Sequence, residues 1–289
     1  METDKLGKTD NVVSRLGFGG APAGLTDYLS EYSPADTAAR DQVIKAIHRA
    51  LELGITYFDT AAGYGLGESE RIFGEALAGR DDIFLATKVS RNHFGDIRKS
   101  LEESLQRLNR SSVDLLQLHG SSFDAGHVDA ILKSGGAVDQ LNRLKDEGLI
   151  RHAGFTTEDN NEAVYTLLKS GSFDVMQICY NFIYQHPYEP SRPFGSILEA
   201  HNLGVGVVTM RAMTSGIVQR WIQKVNPENT FDCTPSLLQF VLSNPLVNVG
   251  LVGMRTVDEV EENVAIANDL DNRISMDWLH ERYVKKGES

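Results

Sequence analysis

Cysteine is almost absent from this chain: Cys179 and Cys233 lie far apart and in no metal-ligand spacing. Two isolated thiols give no disulfide framework and indicate a reducing compartment; both read as small buried hydrophobes. Positive charge is also scarce, with 28 Lys and Arg against 40 Asp and Glu, a net charge of −12. That deficit argues against non-specific nucleic-acid binding, which needs basic clusters to neutralise phosphates. No stretch approaches the roughly 20 apolar residues of a membrane helix. The opening Met1-Glu2-Thr3-Asp4-Lys5 leads into no apolar run of the kind a signal peptide carries. A cytoplasmic protein, off membranes and off nucleic acid, is expected.

What is present is a regular alternation. Eight short apolar runs read as strands: 14–19, 55–58, 82–88, 113–119, 150–155, 174–178, 205–209 and 247–252. Segments with apolar residues at helical spacing separate them, at 41–53, 68–77, 94–108, 136–147, 158–169, 194–202, 234–243 and 256–268. Gly148 is placed to stop the fourth helix. Thr234-Pro235 reads as N-cap plus first-turn proline, and Thr256 with Glu259 has capping-box spacing. Near-continuous apolar strands alternating with amphipathic helices indicate a parallel sheet covered on both faces. Eight units over 289 residues predict a (β/α)8 TIM barrel forming a single domain over residues 1–289. The rival is an open nucleotide-binding sheet, which would place Gly-x-Gly-x-x-Gly at the first strand-to-helix turn. Here Gly17-Phe18-Gly19-Gly20-Ala21-Pro22-Ala23-Gly24 runs on into a long loop, and Pro22 is expected to block an immediate helix.

In such a barrel, residues at the C-terminal strand ends face the active site. Asp59, Lys88 and His119 end three successive strands, and Tyr64 follows in a glycine-rich loop. Taken singly, each has a structural or solvated alternative; together they form a candidate proton-transfer set. A tyrosine is a poor acid at neutral pH, but a nearby ammonium favours the phenolate. Lys88, positioned by Asp59, is expected to lower the Tyr64 pKa. His119 is suited to orient a carbonyl oxygen or assist proton transfer. The set fits carbonyl–alcohol interconversion and contains no nucleophile–base pair for acyl transfer.

The run Asp59-Thr60-Ala61-Ala62-Gly63-Tyr64-Gly65, with Gly67-Glu68-Ser69-Glu70 after it, resembles the aldo-keto reductase signature. So do Ala86-Thr87-Lys88-Val89, the segments 104–108 and 113–119 ending in His119, and Gly253-Met254-Arg255-Thr256 with Glu262-Asn263. The resemblance covers nearly the whole chain in order. It implies a barrel that binds NADP(H) or NAD(H) in extended form and transfers hydride between nicotinamide and a carbonyl carbon. It further implies Tyr64 as general acid and base, Lys88 and Asp59 as its tuning pair, and His119 as the orienting group.

The same resemblance suggests the cofactor contacts. Thr156-Thr157 stands where many members have Ser-Asn, and Gln177 matches the amide-binding glutamine. Met210 replaces the ring that stacks on nicotinamide, and Arg211 falls near the pyrophosphate or the pocket. Gly253, Arg255 and Glu259 bear on cofactor choice, and Glu262 and Asn263 match the adenine-holding pair. Arg255 suits a 2′-phosphate whereas Glu259 opposes one, so NADP(H) is favoured with NAD(H) possible. Tyr28, Tyr32, Phe94, Phe123 and Trp221 are candidates for the substrate pocket, each with a plain packing alternative. A short tail after the last helix suggests an accessible pocket. The substrate is expected to be a small aldehyde, ketone or sugar-like alcohol, with no oligomeric state indicated. Two other readings are a catalytically weak, cofactor-binding regulatory subunit of the same fold, and a metal-dependent hydrolase using His119 with His152 or other histidines. His152 lies toward the start of its strand, away from the rim.

Overall fold

A computed structural model describes residues 1–188 and 195–278. Two short strands, β1 (Thr3–Lys5) and β2 (Val12–Ser14), form an antiparallel hairpin. Eight parallel strands follow: β3 (Leu16–Gly19), β4 (Tyr57–Asp59), β5 (Phe84–Ser90), β6 (Val113–His119), β7 (Ile150–Thr157), β8 (Val175–Cys179), β9 (Gly206–Met210) and β10 (Val249–Gly253). Each pairs with the next, and β10 pairs with both β9 and β3, so the barrel closes.

Two apolar layers hold it. The larger lies between the strands and the surrounding helices, with Phe18, Phe58 and Phe73 in mutual ring contact. The smaller fills the barrel interior with Tyr57, Phe84, Leu115, Val175, Val208 and Val249, and the hairpin contributes Leu6 and Val13 to it. Gly17 makes room for this filling, since a Cβ there would come within 2.8 Å of Val249 and 3.1 Å of the Tyr57 ring. The hairpin therefore plugs the N-terminal end, and the C-terminal strand ends are left for chemistry.

Side-chain caps start many of the helices and move some boundaries from their expected places. Asp36 accepts from the amides of Ala38 and Ala39, so the first long helix spans Thr37–Glu52 rather than starting near residue 41. Asp96 caps Ile97–Leu108 and Asn161 caps Glu162–Lys169, each later than expected. Gly148 takes φ +74° after the helix Ala137–Asp146, as its stop position requires. Thr256 and Glu259 form the expected capping box on Val257–Asn268.

Two expectations need correction, and some elements are additional to those expected. Pro22 does not exclude a helix: Ala21–Gly24 is one turn with the proline at its start, where the missing N–H costs nothing. Thr234 is not an N-cap, because the helix Thr234–Leu242 has Cys233 there. The helices Ala125–Leu132 and Ile217–Val225 were not anticipated, nor was the hairpin. The helix expected from residue 194 is seen as Ser196–Asn202, Phe194 itself lying outside the described residues. The end of the expected short tail, residues 279–289, lies outside them as well.

Candidate active site

Inward-facing residues of β4, β5, β6 and β8 converge just below the C-terminal rim. The Lys88 ammonium donates to Asp59 Oδ1 and, at 2.8 Å, to the Thr60 carbonyl. Both side chains are fully buried. Gln117 donates to Asp59 Oδ2 at 3.0 Å. Burial pushes Lys88 down, but Asp59, with help from Tyr64, more than restores it, and its pKa ends above the ordinary lysine value. Burial raises Asp59 against the opposing pull of Lys88, Gln117 and Gln177. These two directions conflict over the charge of one pair, and the hydrogen bonds resolve it. Both carboxylate oxygens accept N–H donors, one of them from an ammonium, and this favours the ionised acceptor.

Tyr64 sits above this pair, with the Lys88 nitrogen 5.0 Å from its ring centroid. The loop that carries it is anchored from three sides. Ser69 donates to the Gly20 carbonyl at 2.8 Å and accepts from Thr60 at 2.7 Å. Gly65 takes φ +65°, and a Cβ there would lie 1.9 Å from the Gly24 carbonyl oxygen, so only glycine lets the two loops meet. The expected lowering of the Tyr64 pKa is not found: burial raises it, and the charge and hydrogen bonding of Lys88 offset only part of that rise. His119 stands edge-on to Tyr64 with ring centroids 5.6 Å apart. Burial, then repulsion from Lys88, lowers its pKa to about 3, which leaves a neutral imidazole at physiological pH.

A cavity of about 430 Å³ opens over these groups, bordered by Asp59, Tyr64 and His119 and also by Tyr28, Thr156, Gln177, Met210, Arg211 and Gly253. Lys88 lies just beneath it, reaching Asp59. Thr156 is held by Gly120, donating to its carbonyl at 2.7 Å and accepting from its amide at 2.9 Å. Gln177 directs its amide nitrogen at the Met210 sulfur, 3.9 Å away. Arg211, in the left-handed region at φ +59°, pairs with Glu158 at 2.9 Å across the loops after β9 and β7.

A second cavity of about 590 Å³ adjoins the end of β10 and is bordered by Arg255, Glu259, Tyr32, Ser30, Asp27, Glu31 and Asp36. The Arg255 guanidinium lies over the Tyr32 ring at 4.6 Å and donates to Ser30, while its Nη1 has no partner among the described residues. Glu259 accepts from the amides of Arg255 at 2.6 Å and Thr256 at 3.2 Å.

Several candidates lie outside both cavities. Thr157 faces the opposite side of β7 from Thr156, and its hydroxyl accepts from the Asp159 amide at 3.0 Å. Glu262 is exposed, and Asn263 is buried with its amide on the Glu259 carbonyl at 2.7 Å. Phe123 is core, packed edge-on to Phe155, and Phe94 packs against the same core. Trp221 is 60% exposed on Ile217–Val225 and borders neither cavity. His152 stacks on Phe84 near the barrel's plugged end, with Nε2 2.7 Å from Asn11, so it does not meet His119. Sequence reading passed over Gln117, an amide inside an apolar strand, and over Ser90, Ser121 and Glu158 on the cavity wall.

The two cavities suit an elongated ligand with an amide at one end and, at the other, a group within reach of Arg255. Gly253 borders the first and Arg255 the second, only two residues apart. A Gln177 amide facing the Met210 sulfur and a guanidinium nitrogen with no partner among the described residues supply the polar contacts. These residues fit a nicotinamide dinucleotide.

The Aldo/keto reductase family model matches residues 15–237. Among curated proteins, L-galactose dehydrogenase of Arabidopsis thaliana is 30% identical, over 94% of this chain and 90% of its own length. NADH-specific methylglyoxal reductase of Escherichia coli is 27% identical over 93% of this chain and 94% of its own. Among solved structures, the holo form of an aldo-keto reductase from Bacillus halodurans superposes with a TM-score of 0.74 at 24% identity, covering 96% of this chain and 93% of that one. An aldo-keto reductase from Klebsiella pneumoniae in complex with NADPH gives 0.73 at 22% identity, covering 97% and 93%.

Proposed function

The chain belongs to the aldo/keto reductase family of NAD(P)-dependent oxidoreductases, and from that premise we propose that it interconverts a small aldehyde, ketone or sugar carbonyl with its alcohol, using Tyr64 as general acid and base. One observation carries this reading: Tyr64 and a neutral His119 face one cavity above the buried Lys88–Asp59 pair. The nicotinamide group, when bound, supplies or accepts the hydride. The protein's part is the proton. With its pKa raised, Tyr64 stays a phenol at neutral pH and can donate to the carbonyl oxygen. His119, its pKa lowered to about 3 by burial, is neutral there and serves to orient that oxygen with its one N–H. Lys88 stays an ammonium and favours the phenolate as the proton leaves, and Asp59 holds Lys88 in place.

Thr156, Gln177, Met210, Arg211 and Gly253 would hold the nicotinamide half, with Arg255 at the far end. NADP(H) is the favoured cofactor because Arg255 keeps one buried nitrogen without a partner among the described residues, a ready contact for a 2′-phosphate. The carboxylates of Asp27, Glu31, Asp36 and Glu259 around the same cavity reduce that advantage and keep NAD(H) usable. Arg255→Ala should therefore raise KM for NADPH about fivefold while changing that for NADH little. Equal effects on the two cofactors would remove the assignment.

Ser90, Ser121, Ser215 and the Glu158–Arg211 pair are among the residues bordering the cavity, beside apolar ones such as Leu25, Leu29 and Met213; the polar members support a sugar-like or α-oxo-aldehyde substrate. The names of the Arabidopsis and Escherichia coli relatives agree with that class. The test is nicotinamide fluorescence titration followed by a turnover panel of sugars, methylglyoxal and aromatic aldehydes. Turnover is expected with the polar carbonyls, and cofactor binding without turnover of any of them would contradict the proposal.

A further inference from the structure

Gln117 lies on β6 under the cavity and is completely buried. Its single amide nitrogen donates twice, to Asp59 Oδ2 at 3.0 Å and to Gln177 Oε1 at 3.0 Å, while its oxygen has no partner among the described residues. A primary amide has two N–H donors, and both are used. The orientation is not free. An ionised carboxylate only accepts, so turning Gln117 over would set its oxygen against a buried anion. The second donor then fixes Gln177, whose oxygen is taken and whose nitrogen is left pointing at the Met210 sulfur. Gln177, Met210 and Asp59 all border the cavity.

We propose that Gln117 is a positioning residue that sets the hydrogen-bond polarity of the cavity floor, passing it from the Asp59 carboxylate to Gln177, so that Gln177 offers a donor and selects a ligand acceptor. Resting on the oxidoreductase reading above, that acceptor is the carbonyl oxygen of the cofactor carboxamide rather than its NH2 group. Thr156 strengthens the choice, because its only proton is already committed to the Gly120 carbonyl and it cannot supply the same donor. Gln117 thus couples the pair beneath Tyr64 to the residue that grips the cofactor.

The test uses the full chain and two probes, NADPH and its 3-acetylpyridine analogue, which keeps the carbonyl oxygen and lacks the NH2. The wild-type protein should bind the two within about threefold, as expected if no hydrogen bond is lost. Gln117→Leu, or Gln117→Met should the leucine variant fail to fold, should weaken both probes about tenfold, the scale of one ordered hydrogen bond. In the variant, the acidic limb of the alcohol-oxidation pH profile should also move to higher pH, because Asp59 with one donor fewer opposes the Tyr64 phenolate more strongly; a purely structural role would leave that limb in place. The proposal is overturned if the wild type prefers NADPH tenfold or more, or if a folded variant binds and titrates like wild type. Failure of the wild type to bind any nicotinamide cofactor would overturn the oxidoreductase reading first.

Discussion

Tyr64 and His119 share a cavity, and burial acts on them in opposite senses. It keeps the phenol protonated by raising its pKa and keeps the imidazole neutral by lowering its pKa to about 3. The consequence for pH is direct. Carbonyl reduction needs the phenol, so its rate should be flat from about pH 5 to 8, with no break near the ordinary histidine value of about 6.5. Alcohol oxidation needs the phenolate, so its rate should climb through the alkaline range. Steady-state profiles in both directions check this, and a reduction break near 6.5 that vanishes in His119→Asn would contradict it. At this scale the sequence was informative where chemistry marks a strand end. Asp59 and His119 are the last residues of β4 and β6, and Lys88 stands two before the end of β5. It was uninformative where only orientation matters: alternation along β7 turns Thr157 outward, and Phe94, Phe123 and Trp221 carry nothing in their identity that says which way they point.

Among the elements, the hairpin β1–β2 is small in length and large in consequence. Leu6, in its turn, is completely buried inside the barrel, and Gly7 at φ +54° lets the chain pass close to Gly206. Filling the N-terminal end from this hairpin keeps water from the underside of Tyr57 and Phe84. Leu6→Ala should lower unfolding stability by about 2–5 kcal/mol, read as a lower urea midpoint at unchanged slope. Wild-type stability would mean that the hairpin does not close the interior. Three-residue strands such as Thr3–Lys5 are too short to show a period, which is why this element was not legible. The long strands β5, β6 and β7 were, because their apolar runs and the helices between them repeat over enough residues for the two periodicities to separate.

The whole molecule joins a barrel closed by β10 to two adjoining cavities with different electrostatics. One is nearly neutral around Tyr64, and the other is acidic around a single arginine among its lining residues. The eight-fold repeat was legible because each unit carries the same pattern. The cavities were not, since they arise where loops distant in sequence meet, as when Glu158 reaches Arg211 and Ser30 reaches Arg255. Among the described residues, no helix is long and apolar enough to cross a membrane. The central claim is that this assembly binds a nicotinamide cofactor and delivers its proton through Tyr64. The most direct measurement is a paired one on Tyr64→Phe: cofactor affinity by fluorescence titration, and carbonyl turnover at saturating cofactor. The expected result is unchanged affinity with turnover reduced at least about a hundredfold, the usual contribution of a positioned general acid. Turnover at the wild-type rate would show that the proton comes from elsewhere.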